Sequence, residues 1–140
     1  VQAIYPWGNE DPSYTLGAQN GAQNSCSLLD TIAVGSFAPN SYGLFDLAGN
    51  VWEWMADWYG LYDNAAVENP TGPASGSSRV VRGGSWYYYG GNLRVASRYQ
   101  YGPSYLNRDI GFRCASLVAI VDSATSSVVA LVCRMALHPV

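Results

Sequence analysis

Between Trp86 and Ile110 the chain gathers six of its 11 tyrosines: Tyr87, Tyr88, Tyr89, Tyr99, Tyr101 and Tyr105. Small and polar residues fill the gaps: Gly90, Gly91, Asn92, Ser97, Gly102, Ser104, Asn107 and Asp109. Tyrosine supplies large, rigid contact area at low entropic cost, while Ser, Gly and Asn supply adaptable hydrogen bonds. That is the chemistry of recognition, as on an antibody-like contact surface, rather than of a catalytic pocket. The candidate ligand contacts are therefore Tyr87, Tyr88, Tyr89, Tyr99, Tyr101, Ser104, Tyr105, Asn107 and Asp109. Two apolar anchors flank them, Arg82-Gly83-Gly84-Ser85-Trp86 before and Ile110-Gly111-Phe112-Arg113 after.

Other side-chain chemistries are sparse. Cys26, Cys114 and Cys133 form neither a CxxC pair nor a metal-ligand spacing, and they leave the redox compartment open. A secreted or cell-surface location is compatible with this pattern and so is any other. The single histidine, His138, reads as a solvated tail residue. Residues 1–78 carry eight acids and no base, whereas residues 79–113 carry six arginines and one acid. With a net charge of −3 and no lysine, nucleic acid is not an expected partner. Arg94, Arg98, Arg108 and Arg113 are instead expected to brace loops through forked hydrogen bonds to carbonyls and to acids of the first half. The most apolar run, residues 117–132, is broken by Asp122 and polar neighbours, so no membrane span is expected.

The elements that must position the tyrosines are short. At 140 residues and 49% hydrophobic content the chain has length for one domain with a core. Its 15 glycines and seven prolines argue for long loops, short strands and few helices. Residues 8–30 read as irregular loop. From Val51 a period of two sets Trp52, Trp54, Ala56 and Trp58 on one face, a strand against a core, with Gly49-Asn50 as the turn before it. Residues 60–78 return to loop, with Asn69-Pro70 and Gly72-Pro73 as turn signals. Arg79–Trp86 and Ile110–Ala115 are the further strand candidates. Residues 116–140 lack aromatics and clear alternation and read as an added strand and tail, or as sequence beyond the domain end.

Four blocks in order, Tyr5-Pro6-Trp7-Gly8, residues 40–54 ("NSYGLFDLAGNVWEW"), Arg82–Trp86 and Gly111-Phe112-Arg113, resemble the formylglycine-generating enzyme (sulfatase-modifying factor) family. The resemblance implies an α+β, C-type-lectin-like fold with an irregular, short-stranded sheet. It also implies that residues 1–115 are the C-terminal portion of that domain, so that the chain reads as the middle of something. A structural calcium is implied in the Asp46–Glu53 loop, with the Asp46 and Glu53 carboxylates and the Gly49 and Val51 carbonyls as ligands. The alternative for Glu53 is a role capping amides or pairing with an arginine.

The family's copper-dependent oxidase chemistry implies two cysteines shortly after the Gly-Gly-Ser block. Residues 86–98 hold none, so no copper is expected and no catalytic residue is assigned. Cys114 matches the family's structural cysteine. Residues 87–109 also resemble the variable region of diversity-generating retroelement target proteins, whose mutable codons lead toward Tyr, Ser, Asp and Gly. On that resemblance Leu93–Ala96, Arg98 and Ile110–Phe112 are fixed framework, and the chain is a non-catalytic binder of an unknown protein or glycan. The alternatives are a formylglycine-generating oxidase, or a degenerate structural relative whose tyrosines are loop packing.

Overall fold

The computed structural model describes residues 3–24, 30–62, 70–114, 117–122 and 125–130. Cys26, Cys133, His138 and the turn at Asn69 lie outside the described residues. A small mixed sheet carries the domain, in the order β3-β2-β1-β4, with β1 at Trp52–Trp58, β2 at Arg79–Arg82, β3 at Tyr99–Tyr101 and β4 at Ile110–Gly111. The β1–β2 and β2–β3 pairs are antiparallel, and β1–β4 is parallel. The described helix content is one short 3-10 turn, Gly90–Leu93. Strands β5 (Leu117–Asp122) and β6 (Thr125–Ala130) pair antiparallel as a separate two-stranded sheet, which supplies more strand in the tail than a single addition.

The period-two pattern of β1 holds only for its first half. Trp52 is fully buried with Val81 and Ile110, and Trp54 packs against that cluster. The register with β2 then shifts between Trp54 and Trp58, so Ala56, expected on the core face, is exposed. From Trp54 to Trp58 four residues of β1 stand against two of β2, and Ala56 lies within that irregular stretch of the ladder. Trp58 is covered instead by the Arg79 guanidinium, 3.5 Å from its ring. The two other strands are shorter than their sequence signals. β2 stops at Arg82 because Gly83 and Gly84 take positive φ (91° and 74°), which no strand continues through. β4 keeps only Ile110 and Gly111 of the expected Ile110–Ala115.

A second cluster of Tyr5, Ala22, Ala48 and Leu93 lies under the amino-terminal loops, with Trp7 packed on it. Tyr5 and Trp7 stack at 5.2 Å. The two clusters are joined through the turn before β1. Gly49 N–H donates to the Gly83 carbonyl, Asn50 N–H to Gln23, and Trp52 N–H to Asp109, each at 2.8 Å, while the Asn50 carbonyl accepts from Trp86 N–H, also at 2.8 Å. The Asn50 side chain acts as an extra peptide unit, pairing both ways with the backbone of Ile32 at 3.1 Å. Gly49 and Asn50 sit at φ 80° and 64°.

Any side chain at Gly49 is costly. A Cβ there would lie 2.3 Å from the Gln23 carbonyl oxygen, on top of the left-handed strain. Gly49→Ala is expected to cost about 2–4 kcal/mol in urea unfolding. A loss below about 0.5 kcal/mol would mean the turn is not a fixed point of the fold.

Candidate ligand-binding face

The tyrosine-rich interval is held from below by rings and from its ends by strands. β3 pairs Tyr99 with Val81 and Tyr101 with Arg79, which fixes those two phenols on the sheet. The turn at Ser85 fixes the next two, since Tyr88 N–H donates to the Ser85 carbonyl at 3.1 Å. Tyr89 opens the 3-10 turn, its carbonyl accepting from Asn92 N–H at 2.9 Å. That turn closes tightly because a Cβ at Gly84 would lie 2.9 Å from Leu93 Cδ2.

The structure divides the expected contacts into two sets. Tyr88, Tyr101 and Tyr105 are half-buried and packed on the Trp52–Val81–Ile110 core. Tyr101 and Tyr105 stack at 4.1 Å with planes 3° apart, and the Tyr88 and Tyr101 hydroxyls are 3.0 Å apart. Tyr88 also meets the Trp52 edge at 5.5 Å. These three are framework. Tyr87, Tyr89 and Tyr99 are instead 62%, 76% and 49% exposed, and Ser104 and Asn107 are exposed beside them.

Asp109 departs furthest from its expected place. It is 4% exposed, under the face rather than on it. One oxygen accepts from Ser85 Oγ at 3.3 Å, and its backbone carbonyl takes the Trp52 N–H. Its other oxygen and the indole N–H groups of Trp52 and Trp86 have no hydrogen-bond partner among the described residues. Leu106, 92% exposed between Tyr105 and Asn107, was not legible as a contact. An isolated leucine carries no periodic signal, and only its position inside a polar interval marks it.

The arginine expectations are half met. Arg98 donates to the Gly60 carbonyl with its guanidinium over the rings of Tyr59 and Tyr62, and Arg113 clamps the Phe45–Asp46 loop to β1. Among the described residues, the guanidinium groups of Arg94 and Arg108 make no bracing hydrogen bond. Arg79 and Arg82 take that role, on the carbonyls of Ala56 and of Val95 and Ser97.

Arg113 also settles the arrangement of the loop expected to hold calcium. Its Nε donates to both Glu53 carboxylate oxygens at 2.8 and 2.7 Å, a further nitrogen bridges Glu53, and its two outer nitrogens reach the carbonyls of Phe45 and Asp46. The Asp46 carboxylate accepts from Gly35 N–H at 2.7 Å. Two of the four expected ligands, Asp46 and Glu53, thus present their charge to protein donors, while Gly49 and Val51 belong to the turn before β1. In this arrangement Glu53 takes the arginine-pairing alternative, with the Arg113 guanidinium on its carboxylate. Among the described residues no group of three or more His, Cys, Asp or Glu side chains gathers to hold a metal.

Packing shifts one phenol strongly. Burial first, then the hydrogen bond and charge interaction with Tyr88, and lesser effects of Tyr105 and Asp109, push the Tyr101 hydroxyl well above the ordinary tyrosine range. A folded-state pKa raised in this way gives stability that is full below the unfolded value of about 10 and falls away as the pH rises past it. Tyr101→Phe is expected to flatten the loss of urea stability between about pH 9.5 and 11. An unchanged alkaline slope would contradict the packing described for Tyr101.

The likenesses to known proteins follow the same geometry. The chain matches the family of the sulfatase-modifying factor enzyme 1-like domain over residues 1–118. It is 40% identical over 132 residues to the formylglycine-generating enzyme of Thermomonospora curvata, a match covering 82% of this chain and 43% of that enzyme. It is 50% identical over 90 residues to the serine/threonine-protein kinase pkn1 of Chlamydia pneumoniae, covering 61% of this chain and 14% of the kinase. Among solved structures, Treponema denticola variable protein 1 superposes with a TM-score of 0.62 at 38% identity, covering 65% of this chain and 34% of that one. The chain spans less than half the length of each of these relatives. With few helices, a small mixed sheet and the family's match along most of its length, the chain belongs to the sulfatase-modifying factor (FGE-sulfatase) domain family.

Proposed function

We propose that this chain is a non-catalytic binding module that uses a C-type-lectin-like scaffold to display a tyrosine-rich face, as the target proteins of diversity-generating retroelements do. The observation that carries the reading is the division of the tyrosines. Tyr87, Tyr89 and Tyr99 face solvent, while Tyr88, Tyr101 and Tyr105 are locked beneath them by stacking and hydroxyl contacts. Rigid exposed phenols lose little entropy on binding, which is why such side chains serve as contact anchors. The likeness to Treponema denticola variable protein 1 supports the same reading.

The oxidase reading needs soft thiolates after the Gly-Gly-Ser block, since Cu(I) is held by sulfur. That interval holds no cysteine; in it Tyr88 meets Trp52 edge-on and Leu93 is buried in the core. The ligand in this reading is a protein or glycan surface.

Two measurements test the reading. Nucleotide sequence around codons 85–113 is expected to show a nearby near-identical repeat that differs only at adenines. Incubated with Cu(I) and a cysteine-containing sulfatase-type peptide, the chain is expected to form no aldehyde. Aldehyde formation would replace the binding reading with the oxidase one, and a locus without any such repeat would remove the retroelement part of it.

A further inference from the structure

The exposed face carries a charge asymmetry that its tyrosines do not explain. Residues 79–113 contain one acid, Asp109, and it is buried, so this segment offers no exposed carboxylate. Four of its six arginines, Arg79, Arg82, Arg98 and Arg113, are spent on carbonyls or on Glu53. Arg94 and Arg108 are exposed, and neither guanidinium has a hydrogen-bond or carboxylate partner among the described residues. The exposed, unpaired charge that this segment itself carries is therefore cationic.

Arg108 is also held in place. Its backbone N–H donates to Asn107 Oδ1 at 2.8 Å, and Asn107 Nδ2 donates to the Tyr105 hydroxyl at 2.8 Å. Tyr105 in turn is stacked on Tyr101. The guanidinium lies 5.2 Å over the Trp86 ring, and Trp86 meets the exposed Tyr87 edge-on at 5.6 Å. A cation seated on an aromatic ring keeps its planar donors free for a partner while losing fewer rotamers on binding. Leu106, two residues away, adds an exposed aliphatic side chain.

Resting on the binding reading above, we propose that Arg108 is the specificity-determining cation of the tyrosine face, and that the partner is a protein loop bearing an Asp or Glu flanked by apolar residues. The carboxylate accepts from the Arg108 fork, and the apolar neighbours lie on Tyr87, Tyr89 and Leu106. A planar carboxylate matches the guanidinium fork with two parallel hydrogen bonds, which sets register as well as affinity. The aliphatic side chain at Leu106 favours a protein partner over a sugar, whose surface is hydroxylated.

A random-peptide phage library panned against the full chain tests this. Acidic peptides are expected to be enriched on the wild-type chain, to depend on Tyr87, and to lose binding about tenfold or more on Arg108→Glu. Arg108→Lys, which keeps the charge but not the fork, should lose less than Arg108→Glu. Thermal unfolding unchanged between these variants ensures that the loss is one of contact. Enrichment of neutral or basic peptides that still depend on Tyr87 would overturn the charge assignment and leave the binding reading standing. Acidic peptides indifferent to Arg108→Glu would overturn it too, as would capture of acidic glycans alone on a glycan array. If nothing enriched depends on Tyr87, the binding reading and this inference fail together.

Discussion

The fold hangs on one two-residue turn. Gly49 and Asn50, both at positive φ, turn their peptide groups outward so that a few residues of backbone bond to three distant segments at once. Gln23 comes from the amino-terminal loops, Gly83 and Trp86 from the end of β2, and Asp109 from the approach to β4. In a domain this poor in regular structure, few ladders exist to satisfy buried backbone groups, so such cross-ties do the work of a sheet interior. The turn also delivers Trp52 into the core at the start of β1, where it touches both the framework tyrosines and β4.

From that point outward the tyrosine face is a consequence of layering. Trp52, Val81 and Ile110 form the floor, and Trp54, Tyr88, Tyr101 and Tyr105 pack on it. Aromatic pairs at these separations contribute about 0.5–1.5 kcal/mol each beyond the area they bury. The more exposed rings rest on that layer, Tyr99 against Trp52 and Tyr101 and Tyr87 against Trp86 and Tyr88, while Tyr89 is the most exposed of the three. The same logic places Arg113 inside the frame, bridging Glu53 to the Phe45–Asp46 loop, and leaves Arg108 outside it.

Much of this was legible in the sequence. Trp52 and Trp54 stood out by period two, and Gly49-Asn50 by turn chemistry. The family blocks named the family, and the tyrosine interval stood out by composition. The rest depended on contacts between distant segments. Nothing local tells Tyr88 from Tyr87, since both follow Trp86 in an unbroken aromatic run, yet the Ser85 turn sends one down to Trp52 and the other out to solvent. Ala56 followed the alternation until a register shift with β2 turned it outward. Asp109 matched the composition of a mutable surface, but its backbone bond to Trp52 pulls it beneath that surface. For Glu53 the sequence left calcium, amide capping and an arginine open, and the arginine it meets, Arg113, comes from 60 residues later.

The central claim is that the tyrosines of one interval form two layers, and nitration by tetranitromethane read by peptide mass spectrometry tests it most directly. Tyr87, Tyr89 and Tyr99 are expected to be modified quickly in the native chain, while Tyr88 and Tyr101 react only after unfolding. Equal native rates at Tyr88 and Tyr87 would show a single disordered tyrosine surface, and the layered face would not exist.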